Sequence, residues 1–303
     1  MTTSNTILVG CIYPGVEPFL SDFFESIKSQ TTQDYDLLII SDNLELKDDQ
    51  KLPPNTKLIQ LKQNITPAQI RLKAIECCKE NKYQYIIFTD VDDFFSANRV
   101  ELSKIDLQNY DFVFNEIDLV DINGHSIRAN VLKGINIRNQ YNKVNEIIDK
   151  NLFGLSNTAV SLNALNELTI PKEIIAVDWW IFTMLLLNKQ SGKFIEKAKT
   201  FYRQTNNNTV GMWKPLDERR LYKGITVKTI HYKNVYQYCK EKDLKETVLF
   251  KQKLEQMHRL NKEIRNKFFR KKYINIVNKN MNDIYKGWWS EIIPLFEWRK
   301  YEN

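Results

Sequence analysis

The first half of the chain alternates between short apolar, β-rich segments and longer segments whose apolar residues recur at helical spacing. The strand-like segments cover residues 6–13, 35–40, 57–61 and 85–89, and helical patterns cover residues 16–30 and 66–81. Alternating strand and helix patterns are typical of βαβ units, whose strands pair in parallel. The sequence therefore predicts an α/β fold with a mostly parallel sheet flanked by helices.

The segment from residue 85 to residue 93 is an apolar run that ends in three carboxylates, those of Asp90, Asp92 and Asp93. Like charges at this density repel one another, and they are costly to desolvate unless they share a cation. Hard divalent cations bind carboxylate and phosphate oxygens. The segment therefore predicts a buried strand whose end holds a divalent cation against a phosphate. A solvent-facing acidic turn is the simpler alternative.

Polar residues follow three of the predicted strands, at Tyr13, at Asp42-Asn43 and at Asp90. In an open parallel sheet, ligands bind outside the carboxyl ends of the strands. We therefore expect these residues to face one crevice. A nucleotide fits such a crevice, because one polar group can bind the base edge, another the ribose, and a metal ion the diphosphate.

The second half of the chain changes in character. Residues 111–117 and 118–122 predict two strands, and Asn123-Gly124 predicts a hairpin turn. From about Lys228 onward, the pattern predicts long, basic, amphipathic helices. We therefore divide the chain into an α/β domain that would carry the crevice, residues 1–225, and a basic, aromatic-rich helical appendage, residues 226–303.

Positive charge is concentrated in that appendage. The chain has 303 residues and a net charge of +7, and residues 259–279 hold eight basic side chains against Glu263 alone. A basic segment of this kind predicts an anionic partner, which is a membrane surface, a nucleic acid or a polyanionic glycan, unless it is only a solvated helix face.

Several classes of protein are disfavoured by composition. Four scattered cysteines and three histidines give neither a disulfide framework nor a zinc spacing. No apolar run approaches the roughly 20 residues that cross a bilayer, and residues 1–5 lack the basic segment of a secretory signal. We therefore expect a cytoplasmic location.

A set of segments in order along the chain carries a family resemblance. These segments are residues 7–13, 26–31, 38–43, 70–75, 90–93, 177–179 and 202–204. With them, the chain resembles family 2 glycosyltransferases, which have the GT-A fold. The resemblance covers about two thirds of the chain, approximately residues 5–211. An Asp-x-Asp by itself is unspecific, and the order and spacing of the segments give the resemblance its weight.

The resemblance implies roles for individual residues. Asp178 matches the catalytic base, which takes a proton from the acceptor hydroxyl during in-line attack and so gives inversion. Asp92, with Asp90, would hold Mn²⁺ or Mg²⁺ at the diphosphate, where the ion makes the departing nucleoside diphosphate a better leaving group. The implied nucleotide-sugar contacts are Tyr13 and Asp42 at the base, Arg71, Asp90, Val91 and Arg203.

The sequence departs from the family at a place that affects the metal. A histidine is frequent after the segment 202–204, and here the residue is Thr205. The ion then relies on Asp92, the diphosphate and water, or His231 substitutes as the third protein ligand.

The implied function is inverting, metal-dependent transfer of a sugar from a nucleoside diphosphate, with UDP as the default, to a hydroxyl of a glycan or lipid-linked acceptor. Bacterial surface polysaccharide synthesis is the expected setting. We expect residues Phe268-Phe269 and Trp288-Trp289, among the basic residues, to contact the inner face of the plasma membrane, with homodimerisation through these helices as the rival explanation.

Two other functions are weighed against the transferase. One is a nucleic-acid or polyanion binder using the basic helices, although no base-reading module is present. The other is a phosphatase using the Asp90/Asp92 pair, which is disfavoured because Phe94 stands where a small hydroxyl residue is expected.

Overall fold

A computed structural model of the chain describes residues 4–46, 52–61, 65–135, 137–205, 212, 214–280 and 287–302. The chain divides into two compact units. Unit one contains Met1–Glu146, Phe153–Ile170 and Ile181–Asn207, and unit two contains Ile147–Leu152, Pro171–Trp180 and Asn208–Asn303.

Unit one is built on a ten-stranded sheet. Its strands are β1 (Thr6–Ile12), β2 (Asp36–Asp42), β3 (Thr56–Leu61), β4 (Tyr85–Phe88), β5 (Phe94–Phe95), β6 (Phe112–Val120), β7 (Ser126–Arg128), β8 (Gln140–Tyr141), β9 (Thr158–Ser161) and β10 (Gly192–Arg203). The spatial order is β3-β2-β1-β4-β9-β6-β10-β5, with β7 pairing β6 and β8 pairing β10.

The sheet is parallel where the predicted site lies. Strand β1 pairs in parallel with β2 on one side and β4 on the other, and β2 pairs in parallel with β3. Strand β9 is antiparallel to both of its neighbours, and the long pair of β6 and β10 is parallel. The predicted α/β architecture with a mostly parallel sheet is confirmed.

The helices of the chain are α1 (Leu20–Lys28), α2 (Pro67–Glu80), α3 (Arg99–Asp106), α4 (Val177–Leu187), α5 (Glu218–Glu241), α6 (Thr247–Glu263), α7 (Lys267–Lys279) and α8 (Leu295–Trp298). Helix α1 buries Leu20, Phe23, Phe24 and Ile27 in the core of unit one. Helix α2 begins with a capping box, in which Thr66 Oγ1 accepts from the Gln69 backbone N–H and Gln69 Oε1 accepts from that of Thr66.

The two strands predicted over residues 111–117 and 118–122 form one continuous strand in the structure. Residues 112–120 run without a break as β6, buried along its whole length. The predicted turn at Asn123-Gly124 is present, with Gly124 at φ +84°, but it joins β6 to the short β7. A boundary at residue 117 was wrong because both faces of β6 are buried, so polar residues such as Glu116 and Asp118 lie within the strand rather than at its ends.

Unit two contains the basic helices α5, α6 and α7, as predicted, but it does not start at residue 226. It begins at Asn208 and also takes in Ile147–Leu152 and Pro171–Trp180. Buried polar groups explain the inclusion of the first segment. The Lys228 ammonium donates to the carbonyl oxygen of Asp149 at 3.0 Å, and the Tyr232 hydroxyl donates to that of Ile148 at 3.0 Å. Buried donors need such partners.

The aromatic residues near the C-terminus are mostly core residues of unit two. Trp288 and Trp289 are buried, and Trp289 is 2% exposed. An added Cβ at Gly224 of α5 would lie 2.5 Å from Ile292 Cγ1, so α5 and the segment around Ile292 approach closely. The expectation that Trp288-Trp289 contacts a membrane is therefore wrong, because these indole rings are already packed inside the protein. Among the described helices, none combines the length and the apolar content that spanning a bilayer requires.

Candidate active site

Three neighbouring parallel strands end at one edge of the sheet in unit one. Strand β1 lies between β2 and β4, with Ile12 in register with Ser41 and Val9 in register with Phe88. Tyr13 follows β1, Asp42 ends β2, and the acidic turn of residues 90–93 follows β4. The expectation that these residues share an edge is confirmed, because parallel strands place their carboxyl ends on the same side.

Helix α2 adds a cation to this edge. Arg71 Nη2 donates to Asp90 Oδ1 at 2.7 Å, and both side chains keep part of their surface exposed. The pair is half-buried, so solvent screens it less than it would a surface pair. A guanidinium held in this way has further N–H donors for a phosphate or a base carbonyl.

Cys11 is a residue of this edge that the sequence analysis did not select. Burial raises the pKa of its thiol, and the charges of Arg71, Asp42 and Asp90 also act on it. These electrostatic influences place Cys11 among the three charged side chains. Its position just before the end of β1 was the signal available in the sequence, but a cysteine in a predicted core strand is by default a buried thiol.

Tyr13 is 42% exposed at the same edge. Burial of its hydroxyl raises the pKa of Tyr13 well above the usual value, and the negative charges of Asp92 and Asp90 raise it further. The phenol therefore stays protonated and can donate a hydrogen bond. Its exposed ring offers a surface on which a planar base can pack.

Asp42 lies at the end of β2 and is half-buried. Its Oδ1 accepts from Asn43 Nδ2 at 2.8 Å, and Asn43 has a left-handed backbone with φ 57°. Asn tolerates this conformation better than most residues. The turn fixes the carboxylate at the strand end, and an ionised carboxylate accepts hydrogen bonds at both oxygens.

The acidic turn holds its three carboxyl groups in two different environments. Asp92 is half-buried, and burial together with the charge of Asp90 raises the pKa of its carboxyl to about 6. Asp93 is buried, with Oδ1 accepting from the Arg203 backbone N–H at 2.8 Å and Oδ2 from the Ser156 hydroxyl. Burial raises the pKa of Asp93 well above its usual value. Asp93 is therefore a structural residue, whereas Asp90 and Asp92 face the edge.

The chain matches the family model described as glycosyl transferase family 2 over residues 10–160. This match includes the end of β1, the whole of β2 and β4, and the acidic turn. The chain belongs to glycosyltransferase family 2. The Asp-x-Asp of this glycosyltransferase therefore lies in a family domain, and the phosphatase and nucleic-acid-binding alternatives are not supported.

Relatives of this glycosyltransferase include an uncharacterized glycosyltransferase of Methanocaldococcus jannaschii. It is 25% identical over 249 residues, which cover 77% of this chain and 81% of the relative. Crystal structures of S. aureus TarS 1-349 also match. The TarS 1-349 structure has a TM-score of 0.57 at 15% identity, covering 91% of this chain and 79% of that one. Its complex with UDP-GlcNAc has a TM-score of 0.55 at 16% identity, covering 86% and 73%. These likenesses show the GT-A fold.

Arg203 of the glycosyltransferase was expected to contact the nucleotide sugar, and the structure places it inside the protein. It is 1% exposed. Its Nε donates to the carbonyl oxygen of Asp92 at 2.9 Å, Nη1 to that of Ile122 at 2.6 Å, and Nη2 to Asp22 Oδ2 at 2.7 Å. The side chain thus ties the acidic turn to Ile122 and to Asp22 of α1. These bonds make it a positioning residue for the turn, and the direct contact with the nucleotide sugar stays a prediction.

Val91 was also expected at the nucleotide sugar. Its side chain is 1% exposed and belongs to the core of unit one. An added Cβ at Gly10 would lie 3.0 Å from Val91 Cγ1 and 3.2 Å from Thr89 Oγ1. Gly10 therefore lets β1 approach the residues after β4 closely. Only the backbone of Val91 remains for a ligand, since its side chain points into the core.

The residues that were candidates for a metal lie in different surroundings. Asp90 and Asp92 belong to unit one. His231, in unit two, is buried and stacks on Trp179 with ring centroids 3.9 Å apart, and burial lowers the pKa of its imidazole to about 3. The described part of the chain contains no group of three or more His, Cys, Asp or Glu side chains that would hold a metal ion. A third ligand from His231 thus finds no support there.

Asp178, the expected base, lies in the first turn of α4 and is half-buried. Its Oδ1 accepts from the Trp179 backbone N–H at 2.7 Å. An acidic residue in the first turn is also favoured by the helix dipole. Asp178 belongs to unit two, and its assignment as base stays a prediction from the order of the family segments.

Proposed function

We propose that the chain transfers a sugar from a nucleoside diphosphate to a hydroxyl group of a glycan or lipid-linked acceptor, with inversion at the anomeric carbon. One observation carries the proposal. Tyr13, Asp42, Arg71, Asp90 and Asp92 lie at the carboxyl ends of adjacent parallel strands, together with the N-terminal part of α2.

The edge has the groups that a nucleoside diphosphate needs. Asp42 accepts a hydrogen bond from the base edge, and the exposed ring of Tyr13 packs on the base. Arg71 offers N–H donors to a phosphate or a base carbonyl. UDP is the proposed nucleotide, supported by the UDP-GlcNAc and UDP complexes of the structurally similar TarS.

The carboxylates at this edge fit a divalent cation. Burial and the charge of Asp90 raise the pKa of Asp92, and burial and the charges of Asp92 and Asp90 raise the pKa of Tyr13, so a cation would be favourable here. Asp92, with Asp90, would hold Mn²⁺ or Mg²⁺, and the remaining ligands would be oxygens of the diphosphate and water. When bound, such an ion stabilises the negative charge that develops on the departing nucleoside diphosphate.

Asp178 is the proposed base that takes the proton of the acceptor hydroxyl. This assignment is supported by its place in the order of the family segments. A carboxylate in this role lets the oxygen attack the anomeric carbon from the side opposite the leaving group. The proposed setting is bacterial surface polysaccharide synthesis at the inner face of the plasma membrane. The basic helices of unit two support this location, because positive charge favours contact with anionic lipids.

Thermal unfolding with nucleotides tests the proposal. UDP and GDP are added with and without Mn²⁺, and UMP serves as the control that lacks the diphosphate. Ligand at about 100 times its dissociation constant stabilises the folded state by about 2.7 kcal/mol. We expect the largest rise in melting temperature with a diphosphate and Mn²⁺ together. Equal effects of UMP and UDP, or no Mn²⁺ dependence, would show that the diphosphate site is wrongly assigned.

A further inference from the structure

Unit two presents an exposed aromatic side chain at a strongly basic corner. Among the described residues, Phe268 is the most exposed large hydrophobic side chain, at 85%. It lies at the junction of α6 and α7, which we call the α6–α7 corner and define as residues 264–272. This corner contains five basic residues and no acidic one, namely Arg265, Lys267, Arg270, Lys271 and Lys272.

The corner is held rigidly, so the exposure of Phe268 does not come from a loose segment. Asn266 caps α7, with its Oδ1 accepting from the backbone N–H groups of Phe268 at 2.9 Å and Phe269 at 3.1 Å. Ile264 is buried, and its carbonyl oxygen accepts from Arg270 Nη1 at 3.0 Å. These hydrogen bonds hold the start of α7 in a position where the Phe268 ring is exposed to solvent.

The positive charge of the corner is only partly neutralised. Arg270 lies 3.1 Å from Glu218, and Lys272 pairs with Glu302 at 2.5 Å. Arg265, Lys267 and Lys271 form no ion pair with the part of the chain that the structure describes. Three exposed cations thus lie within three residues of Phe268, and the nearest acidic residue in sequence is Glu263 at the end of α6.

A second exposed aromatic residue lies on α8, which packs on the same helix. Trp298 contacts Phe269 and Tyr273 of α7, with ring centroids 5.1 and 5.7 Å apart. Two residues before Trp298, Phe296 is half exposed, and Lys300 Nζ lies 5.9 Å from its ring centroid. Helices that contact each other therefore present two aromatic rings flanked by cations.

We propose that the α6–α7 corner docks on an anionic lipid bilayer, with Phe268 entering the interface and Arg265, Lys267 and Lys271 contacting lipid phosphates. Aromatic side chains settle at membrane interfaces, and basic residues near an anionic leaflet add to binding. A bilayer is favoured over nucleic acid because the Phe268 ring is exposed and can insert, and because Phe296 of the contacting helix α8 is a second exposed ring. The inference rests on the proposed membrane location, and it is independent of sugar transfer.

Co-sedimentation with vesicles tests this surface. The full chain is mixed with phosphatidylcholine vesicles and with vesicles that also contain phosphatidylglycerol, at low and at high salt. The test variant is Lys267→Gln/Lys271→Gln, and a second variant is Phe268→Ser. The matched controls are Lys242→Gln/Lys245→Gln, two exposed lysines between α5 and α6, and Val248→Ser, an exposed apolar residue of α6.

We expect the wild type to pellet with anionic vesicles at low salt only. The double lysine variant loses about thirtyfold in partition, since each basic residue is worth about fivefold. Phe268→Ser also weakens binding, whereas both controls bind as the wild type does. Failure of the wild type to pellet, equal binding by the test and control variants, or complete displacement by single-stranded DNA would overturn the proposal.

Turnover of the nucleotide-sugar donor is measured on the same preparations, and melting temperatures confirm that each variant is folded. Because all substituted side chains are exposed and lie outside the sheet edge, donor turnover should be unchanged. If the variants lose vesicle binding but keep normal turnover, the result supports the proposal that the α6–α7 corner binds the membrane. Normal vesicle binding without any turnover would leave the corner standing and refute the proposed transfer reaction instead.

Discussion

Arg203 Nε donates to the carbonyl oxygen of Asp92 at 2.9 Å, from the end of the long strand β10. The same guanidinium reaches Asp22 of α1, and the backbone N–H of Arg203 binds the Asp93 carboxylate. One residue thereby joins β10, α1 and the acidic turn. The backbone of Asp92 is therefore held by a side chain from a distant strand.

Arg203→Lys should weaken the response to the metal as well as stability. Lysine keeps the charge but lacks the planar fork, so it cannot serve both carbonyl oxygens and Asp22 together. Each buried carbonyl left without a donor costs about 1–3 kcal/mol. We expect a lower melting temperature and a higher Mn²⁺ concentration for half-maximal turnover.

Arg99→Lys is the matched control, since Arg99 is also buried but binds the Phe88 carbonyl oxygen and Asn115 Oδ1. This variant should lose stability with an unchanged Mn²⁺ requirement. If both variants show the same Mn²⁺ dependence as the wild type, Arg203 supports the fold and nothing more.

Adjacent isosteric substitutions should separate the two functions of the acidic turn. Asp92→Asn removes a charge that faces the sheet edge, and we expect turnover to fall by at least about 10²-fold, because charge stabilisation by a metal is worth several kcal/mol. Asp93→Asn should keep turnover within about tenfold. Burial already favours the neutral form of Asp93, and an amide resembles that form. Steady-state rates with saturating donor and Mn²⁺ measure both; similar losses at the two positions would contradict the division.

Arg71→Gln should reduce nucleotide affinity. Hydrogen bonds to charged groups contribute about 1.5–3 kcal/mol, so we expect the dissociation constant of UDP to rise by about 10- to 100-fold in calorimetric titration. Lys73→Gln provides the control, because Lys73 is exposed on the same helix. An unchanged dissociation constant in Arg71→Gln would restrict Arg71 to its ion pair with Asp90.

Asp178→Asn should abolish transfer without affecting the binding of the donor. A general base contributes about 10²- to 10⁴-fold to the rate, and the amide cannot take the proton. The nucleotide-induced rise in melting temperature should remain as in the wild type. If the variant transfers sugar at a normal rate, the base lies elsewhere.

His231 should make the protein less stable in acid. Its folded pKa of about 3 lies below the ordinary value of 6.5. Between these values the unfolded chain binds a proton that the folded protein does not, so stability is retained above pH 6.5 and is lost as the pH falls. From pH 6.5 to pH 5, this amounts to about 2 kcal/mol at 1.36 kcal/mol per pH unit.

The measurement is the free energy of unfolding in urea at pH 7 and pH 5 for the wild type and His231→Phe. The phenylalanine keeps a ring against Trp179 and cannot be protonated, so its loss in acid should be smaller by about that amount. His258→Gln, at an exposed position of α6, should behave as the wild type does. Equal losses in all three proteins would refute the assignment.

The part of the site that sequence reasoning found is the part that follows from strand direction. Tyr13, Asp42 and Asp90 each come directly after an apolar run, and parallel pairing of those runs is sufficient to bring them together. The roles of Arg203, Val91 and Asp93 could not be obtained in this way. Arg203 acts on Asp92 over 111 positions of sequence, and no local pattern distinguishes an arginine that binds carbonyl oxygens inside the fold from one that meets a phosphate.

The sequence by itself determined the α/β architecture, the edge at which the carboxylates gather and the family, because periodicity and the order of short segments are local properties. Tertiary structure alone decided which charged and aromatic side chains are available to a ligand. It buried Trp289 and His231, tied Arg203 to the acidic turn, and left Phe268 in water. Burial depends on which distant segments pack against a residue, and that information is spread over the whole chain.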